Sequence, residues 1–127
     1  MEHDKDCIFC KVVKGELPST KVYDDDNFIG ILDINPSAEG ETLIICKKHY
    51  KTLLDMPSSL GNEMIEGAKE IALKLIKQEK AEGFNLMNSN FEVAGQEVNH
   101  VHFYIIPRKK ADGIKLVVNL KKIAELD

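Results

Sequence analysis

The chain has 127 residues, a net charge of −4, 43% apolar and 30% charged residues, and no Trp. A chain of this length is expected to form one domain whose core buries roughly two-thirds of the unfolded surface without disulfides. Mild acidity and few aromatics exclude polymeric nucleic acid as the expected partner, because its phosphates call for a basic face and its bases for stacking rings. The N-terminal MEHDKDCIFC lacks the apolar stretch of a signal segment and no run of about 18 apolar residues occurs, so a cytoplasmic protein with no membrane partner is expected. Three cysteines in such a setting favour thiols or a metal site over a disulfide framework.

The segment CIFCKVVKGELPS places Ile8, Phe9, Val12 and Val13 at helical spacing before Gly15 and Pro18, which predicts a short helix. Lys21 to Asp24 and Asn27 to Ile34 read as strands of a hairpin around Asp24-Asp25-Asp26, the second ended by Asn35-Pro36. Glu41 to Cys46 is rich in β-branched and apolar residues and reads as a third strand. Between Pro57 and Glu82 the apolar residues Leu60, Met64, Ala68, Ile71, Ala72, Leu75 and Ile76 recur at three- and four-residue steps. This is an amphipathic helix, with Pro57 in its first turn and Gly83 as its stop. Phe84 to Asn88 reads as a fourth strand, SNFEVAGQE as a loop, and Asn99 to Ile106 as a fifth strand ended by Pro107. In the tail, Leu116-Val117-Val118 favours strand and Leu120 to Leu126 helix. The sum is an α+β domain: a meandering, five-stranded antiparallel sheet with a short N-terminal helix and one long helix. It spans 1–127, with 1–6 and about 112–127 as terminal extensions.

Three constellations carry chemistry. In a strand, His100, His102 and Tyr104 share one face and Val101, Phe103 and Ile105 the other, so the apolar set can face the core while the polar set lines a pocket. Histidines at i and i+2 stand about 7 Å apart, which suits two ligands of one metal, helped by Glu41 or Glu97, or a nucleophile beside a neighbour of different role. Equally, they can be two surface histidines. Cys7-x-x-Cys10 is compatible with half a zinc site, a redox pair or two small core residues, and His3, His49, His100 and His102 are the candidates to complete a metal site. Cys46, in an apolar strand, reads as core. The run Ala94-Gly95-Gln96-Glu97-Val98-Asn99 can offer backbone N–H groups and the Gln96 amide to an oxyanion, or can be a plain polar loop.

Together, CIFCKVVKGELPSTKVYDDD, LDINPSAEG, KKH and AGQEVNHVHFYIIPR resemble the histidine-triad (HIT) superfamily, in its Hint-like branch, over about residues 7 to 108. The resemblance implies a homodimer, a purine nucleotide pocket and a nucleotide hydrolase acting on nucleoside phosphoramidates or related nucleotidyl compounds. It makes His102 the nucleophile that forms a nucleotidyl-histidine. Gln96 and the amides near Glu97 and Val98 become phosphate donors, with Ser89 nearby, and Asp33 the contact to the ribose. Phe9, Val22 and Ile31 become candidate walls of the base pocket. It further implies one structural zinc on Cys7, Cys10, His49 and His100. Three positions depart from the pattern. Tyr104 replaces the third histidine of the triad, Glu41 the histidine often found after the glycine, and Ser89-Asn90-Phe91 an Asn-Asn-Gly loop. Weakened catalysis is the consequence expected of these departures, with nucleotide binding without significant turnover as the alternative.

Overall fold

The computed structural model describes residues 6–116, so His3 and the tail from Val117 onward lie outside the described residues. Helix α1 (Ile8–Val13) begins where the Cys7 sulfur accepts the Cys10 N–H and ends at Gly15. There φ is +80°, and the N–H groups of Gly15 and Glu16 return to the carbonyls of Val12 and Lys11. Strands β1 (Lys21–Asp24) and β2 (Phe28–Leu32) form the expected hairpin, with the Asp25 carboxylate accepting the N–H groups of Asn27 and Phe28 in the turn. β2 stops earlier than expected. The Asp33 carboxylate accepts the Asn35 N–H and begins a turn that carries the chain off the sheet.

β3 (Thr42–Cys46) pairs with β2 throughout its length. A single 3₁₀ turn, Ser58–Leu60, follows Pro57 and leads into α2 (Gly61–Lys77). Gly83 is not its stop. Glu79 takes the left-handed conformation at φ +60°, and the N–H groups of Glu79 and Lys80 bond the carbonyls of Ile76 and Leu75, closing the helix as Gly15 closes α1. Gly83 instead opens β4 (Gly83–Met87).

The sheet order is β1-β2-β3-β5-β4, so the sheet is antiparallel between all neighbours but is not a simple meander. β5 (His102–Arg108), buried along most of its length, lies between β3 and β4, while β4, alternately exposed, takes the edge. Pro107 does not end β5. β3 stops opposite Ile105, leaving Pro107 on a stretch flanked by β4 alone, where a missing N–H is tolerated. β5 also begins later than expected: the His100 N–H turns back to the Val98 carbonyl and the Val101 N–H bonds the Tyr50 carbonyl.

One face of the sheet packs Phe28, Ile44, Phe103 and Ile105 against Ala68, Ile71 and Leu75 of α2. On the other face Phe9 of α1 packs with Ile29, Ile31, Leu43 and Ile45, and Tyr104 and Val98 flank them. His102 is on this second face, as alternation from Phe103 requires. Among the described residues, no helix is long and apolar enough to cross a membrane.

Candidate functional site

Four side chains from three separate segments meet beside α1. Cys7 and Cys10 come from its first turn, His49 from the end of β3's exit, and His100 from the bend before β5. Their ligand atoms all lie within 4.8 Å of one another. His100 Nδ1 stands 3.4 Å from the Cys7 sulfur and 3.5 Å from that of Cys10, and His49 Nδ1 lies 3.3 Å from Cys10. His100 Nε2–H donates to the Cys46 carbonyl at 2.6 Å, which fixes the tautomer and leaves Nδ1 with its lone pair toward the sulfurs. Two sulfurs and two imidazoles, one of them oriented by a backbone carbonyl, fit a closed tetrahedral zinc site. Cys46 stays outside the cluster. It is fully buried in the core beneath α2, and burial pushes its thiol up to about 11.

His102 also stands outside the cluster, which separates the two histidines that the expected strand placed in one row. Its Nδ1–H donates to the His100 carbonyl at 2.7 Å, so Nε2 carries the lone pair. The Tyr104 hydroxyl lies 3.3 Å from Nε2 and is the donor there. The imidazole is 3% exposed, with the Phe9 ring edge-on at 5.0 Å. Burial holds its pKa below the ordinary histidine value, against the opposing pull of the His100 carbonyl and Asp33. Burial, then the negative charges of Asp33, Glu97 and Glu41, raise the Tyr104 phenol, so it keeps its proton at neutral pH.

The backbone of His102 is braced by residues that the sequence reading did not single out. Asn88 Nδ2 donates to the His102 carbonyl at 2.9 Å, Asn90 donates to Asn88, and the Leu53 N–H donates to Asn90. A polar residue just past β4, where its pairing with β5 ends, was the available signal. Gln96 is buried and committed to the loop: its oxygen accepts the Phe91 N–H, and its nitrogen donates to the carbonyls of Lys51 and Val98. Among the described residues the N–H groups of Glu97 and Val98 bond no backbone or side-chain acceptor. Ser89 lies against Gly95, which adopts φ +97°. Phe9 and Ile31 share the His102 face, whereas Val22 lines a hollow with Leu32, Ile71 and Leu75 beneath α2. Asp33 and Glu41 stand at the far end of the same face, the Asp33 N–H bonding the Glu41 carbonyl at 3.0 Å. The pair His100 and His102 with Glu41 or Glu97 does not assemble as a metal site.

Residues 14–111 match the HIT domain family. The chain belongs to the HIT family. An uncharacterized HIT-like protein of Methanocaldococcus jannaschii is 44% identical over 121 residues, covering 95% of this chain and 93% of its own. The adenosine 5′-monophosphoramidase of Saccharomyces cerevisiae is 42% identical over 106 residues, 84% of this chain and 65% of the yeast protein. A zinc-bound histidine triad protein of Mycobacterium smegmatis superposes with a TM-score of 0.82 at 30% identity, covering 95% of this chain and 97% of that one.

Within this HIT protein the loop after β4 turns at Phe91, where the resemblance read from the sequence expects a glycine. The backbone explains what a glycine would offer, because Phe91 adopts φ 72° and ψ 153°, a region essentially reserved for glycine. A side chain there costs on the order of 1–3 kcal/mol. Glycine's greater unfolded-state entropy returns roughly 0.5–1 kcal/mol of any gain. Phe91→Gly is therefore expected to stabilise the protein by about 1 kcal/mol. Urea unfolding reads this as a raised midpoint, and a lowered midpoint would show that the Phe91 ring outweighs the strain.

Proposed function

We propose that this HIT protein binds a purine nucleotide on the His102 face and hydrolyses nucleoside phosphoramidates or related nucleotidyl compounds through a nucleotidyl-histidine. The observation that carries the reading is the state of His102, a buried neutral imidazole whose Nδ1–H is held by the His100 carbonyl so that Nε2 is the nucleophilic atom. Nε2 attacks the α-phosphorus as the bond from phosphorus to the leaving nitrogen breaks, and that nitrogen, protonated from solvent, departs as the free amine. Water then attacks phosphorus, the bond to Nε2 breaks, and the nucleoside monophosphate leaves.

The surrounding residues divide the remaining work. The amides of Glu97 and Val98, on the loop that Gln96 folds, and the Ser89 hydroxyl receive the phosphoryl oxygens. Gln96 acts through that loop unless it releases one amide N–H to the phosphate. Tyr104 donates to Nε2 in the resting site and transfers this hydrogen bond to a phosphoryl oxygen once Nε2 attacks. It does not exchange its proton as a histidine does, so turnover is slow. Asp33 accepts from the ribose hydroxyls, and Phe9 and Ile31 support the base. Cys7, Cys10, His49 and His100 hold one structural zinc that ties α1 to the segments flanking β3 and β5. Its name as a phosphoramidase makes the yeast relative consistent with this chemistry.

Hydrolysis of adenosine 5′-phosphoramidate by wild type and His102→Ala at matched zinc content tests the reaction. Turnover is expected in the wild type, with a loss of at least about 10³-fold in the variant. Equal rates would sink the mechanism, and AMP binding with no wild-type turnover would assign the protein to nucleotide binding alone. For the metal, elemental analysis is expected to give one zinc per chain, reduced in Cys10→Ser but retained in His102→Ala. Zinc lost from His102→Ala instead would return His102 to the ligand set. β4 is an edge strand with Phe84 and Leu86 each nearly half exposed, and a second copy joined there forms the homodimer. Sedimentation at the mass of two chains is expected, and a monomer at micromolar concentration contradicts it.

A further inference from the structure

Two carboxyl groups face each other where β2 and β3 part. Asp33 follows β2 and Glu41 precedes β3, and the ladder bond between them puts both on the face that carries Ile31, Leu43 and Tyr104. Glu41 is only 4% exposed. Its Oε1 accepts the Ser37 N–H at 3.0 Å, and Asp33 Oδ1 accepts the Asn35 N–H at 2.9 Å. Each carboxyl thus has one oxygen tied to the intervening loop, and the backbone bond makes Asp33 and Glu41 direct cross-strand neighbours on one face. The ionisable groups of this corner are Asp33 from the end of β2, His102 and Tyr104 from β5, and Glu97 from the loop before it. No lysine or arginine stands among them to compensate a second negative charge. Two cross-strand carboxylates, Glu41 buried and Asp33 half-buried, do not both ionise cheaply, so one proton stays on the pair.

We propose that Glu41 is a specificity residue of the nucleotide site: with Asp33 it forms a proton-sharing carboxyl pair that receives the sugar hydroxyls. This rests on the nucleotide reading above. The shared proton lies between the two groups, so the pair offers a ligand acceptor oxygens that carry one negative charge in place of two. A vicinal diol donates from both of its hydroxyls, and the pair receives both. Loss of the shared proton leaves two negative charges near an anionic phosphate, so affinity falls. Burial, followed by the Asp33 carboxyl, pushes Glu41 up to about 7. The competent, protonated form therefore prevails below that pH and is lost as pH rises through it.

The test is calorimetric titration with AMP of the zinc-loaded wild type, Glu41→Gln and Glu41→Ala from about pH 6 to about pH 8. If only the protonated form binds, the wild-type Kd rises by up to about tenfold across this window. Glutamine always offers a donor and an acceptor, so Glu41→Gln keeps the low-pH affinity and has a flatter profile, while Glu41→Ala binds weakly at both ends. The phosphate of AMP titrates identically in all three proteins, so the difference between profiles belongs to Glu41. Equal slopes in wild type and Glu41→Gln overturn the proposal. AMP binding to none of the three overturns the nucleotide reading itself. Carboxyl ¹³C shifts then judge the pair independently, and a Glu41 that titrates in the ordinary glutamate range overturns the shared proton.

Discussion

The hydrogen bond from His102 Nδ1–H to the carbonyl of His100, at 2.7 Å, decides which nitrogen of His102 is left with a lone pair. That carbonyl is fixed because His100 is anchored on every side. Its Nε2–H is held by the Cys46 carbonyl, its Nδ1 faces the sulfurs of Cys7 and Cys10, and the next amide bonds Tyr50. The Cys/His cluster therefore does more than close one end of the fold. It sets the peptide from which the neighbouring imidazole takes its orientation, and a disturbed cluster would reach His102 through a single carbonyl. Asn88 secures the same short stretch from the opposite strand.

Much of the architecture was legible because burial writes itself into spacing. The apolar steps from Leu60 to Ile76 announced α2, and the alternation of His102, Phe103, Tyr104 and Ile105 announced which face of β5 meets the core. The strand order was not legible, since no local pattern says that the last strand inserts between β3 and β4. Nor was the end of α2. Sequence logic assigns the left-handed stop to glycine, but the two backbone hydrogen bonds at Glu79 hold a residue there that must bear the strain. Pro107 misled for a related reason: the rule against proline in strands concerns ladder bonds on both sides, and β5 has lost one neighbour by then.

At the site, residue types were more legible than their partners. Cys7-x-x-Cys10 was legible as half a metal site, but the choice of His49 and His100 among four histidines came from the family resemblance, and the structure brings these two and both cysteines together. Gln96 was identifiable as important, but its three hydrogen bonds within the loop depend on carbonyls that spacing does not locate. Asn88, read as the end of a strand, and Asn90, read as part of a loop, were not legible as braces, because a brace acts through backbone positions known only from the fold.

The two histidines of His100-Val101-His102 have one side chain and different surroundings, and the cause is a bend. Had β5 begun at Asn99, alternation would have stacked both imidazoles on one face, competing for one ligand. The turn from Val98 to His100 delays the strand until His102 and sends His100 toward α1 instead. His102 is left beside Tyr104, at the head of a face whose other ionisable groups are acidic. A face of this kind cannot attract a phosphate by charge. Its donors are amides and a hydroxyl, which work only when fixed in place and shielded from water. For the proposed nucleotide, rigid positioning that begins at the His100 carbonyl takes the place of charge attraction, and on that reading the sugar and base carry as much of the binding as the phosphate.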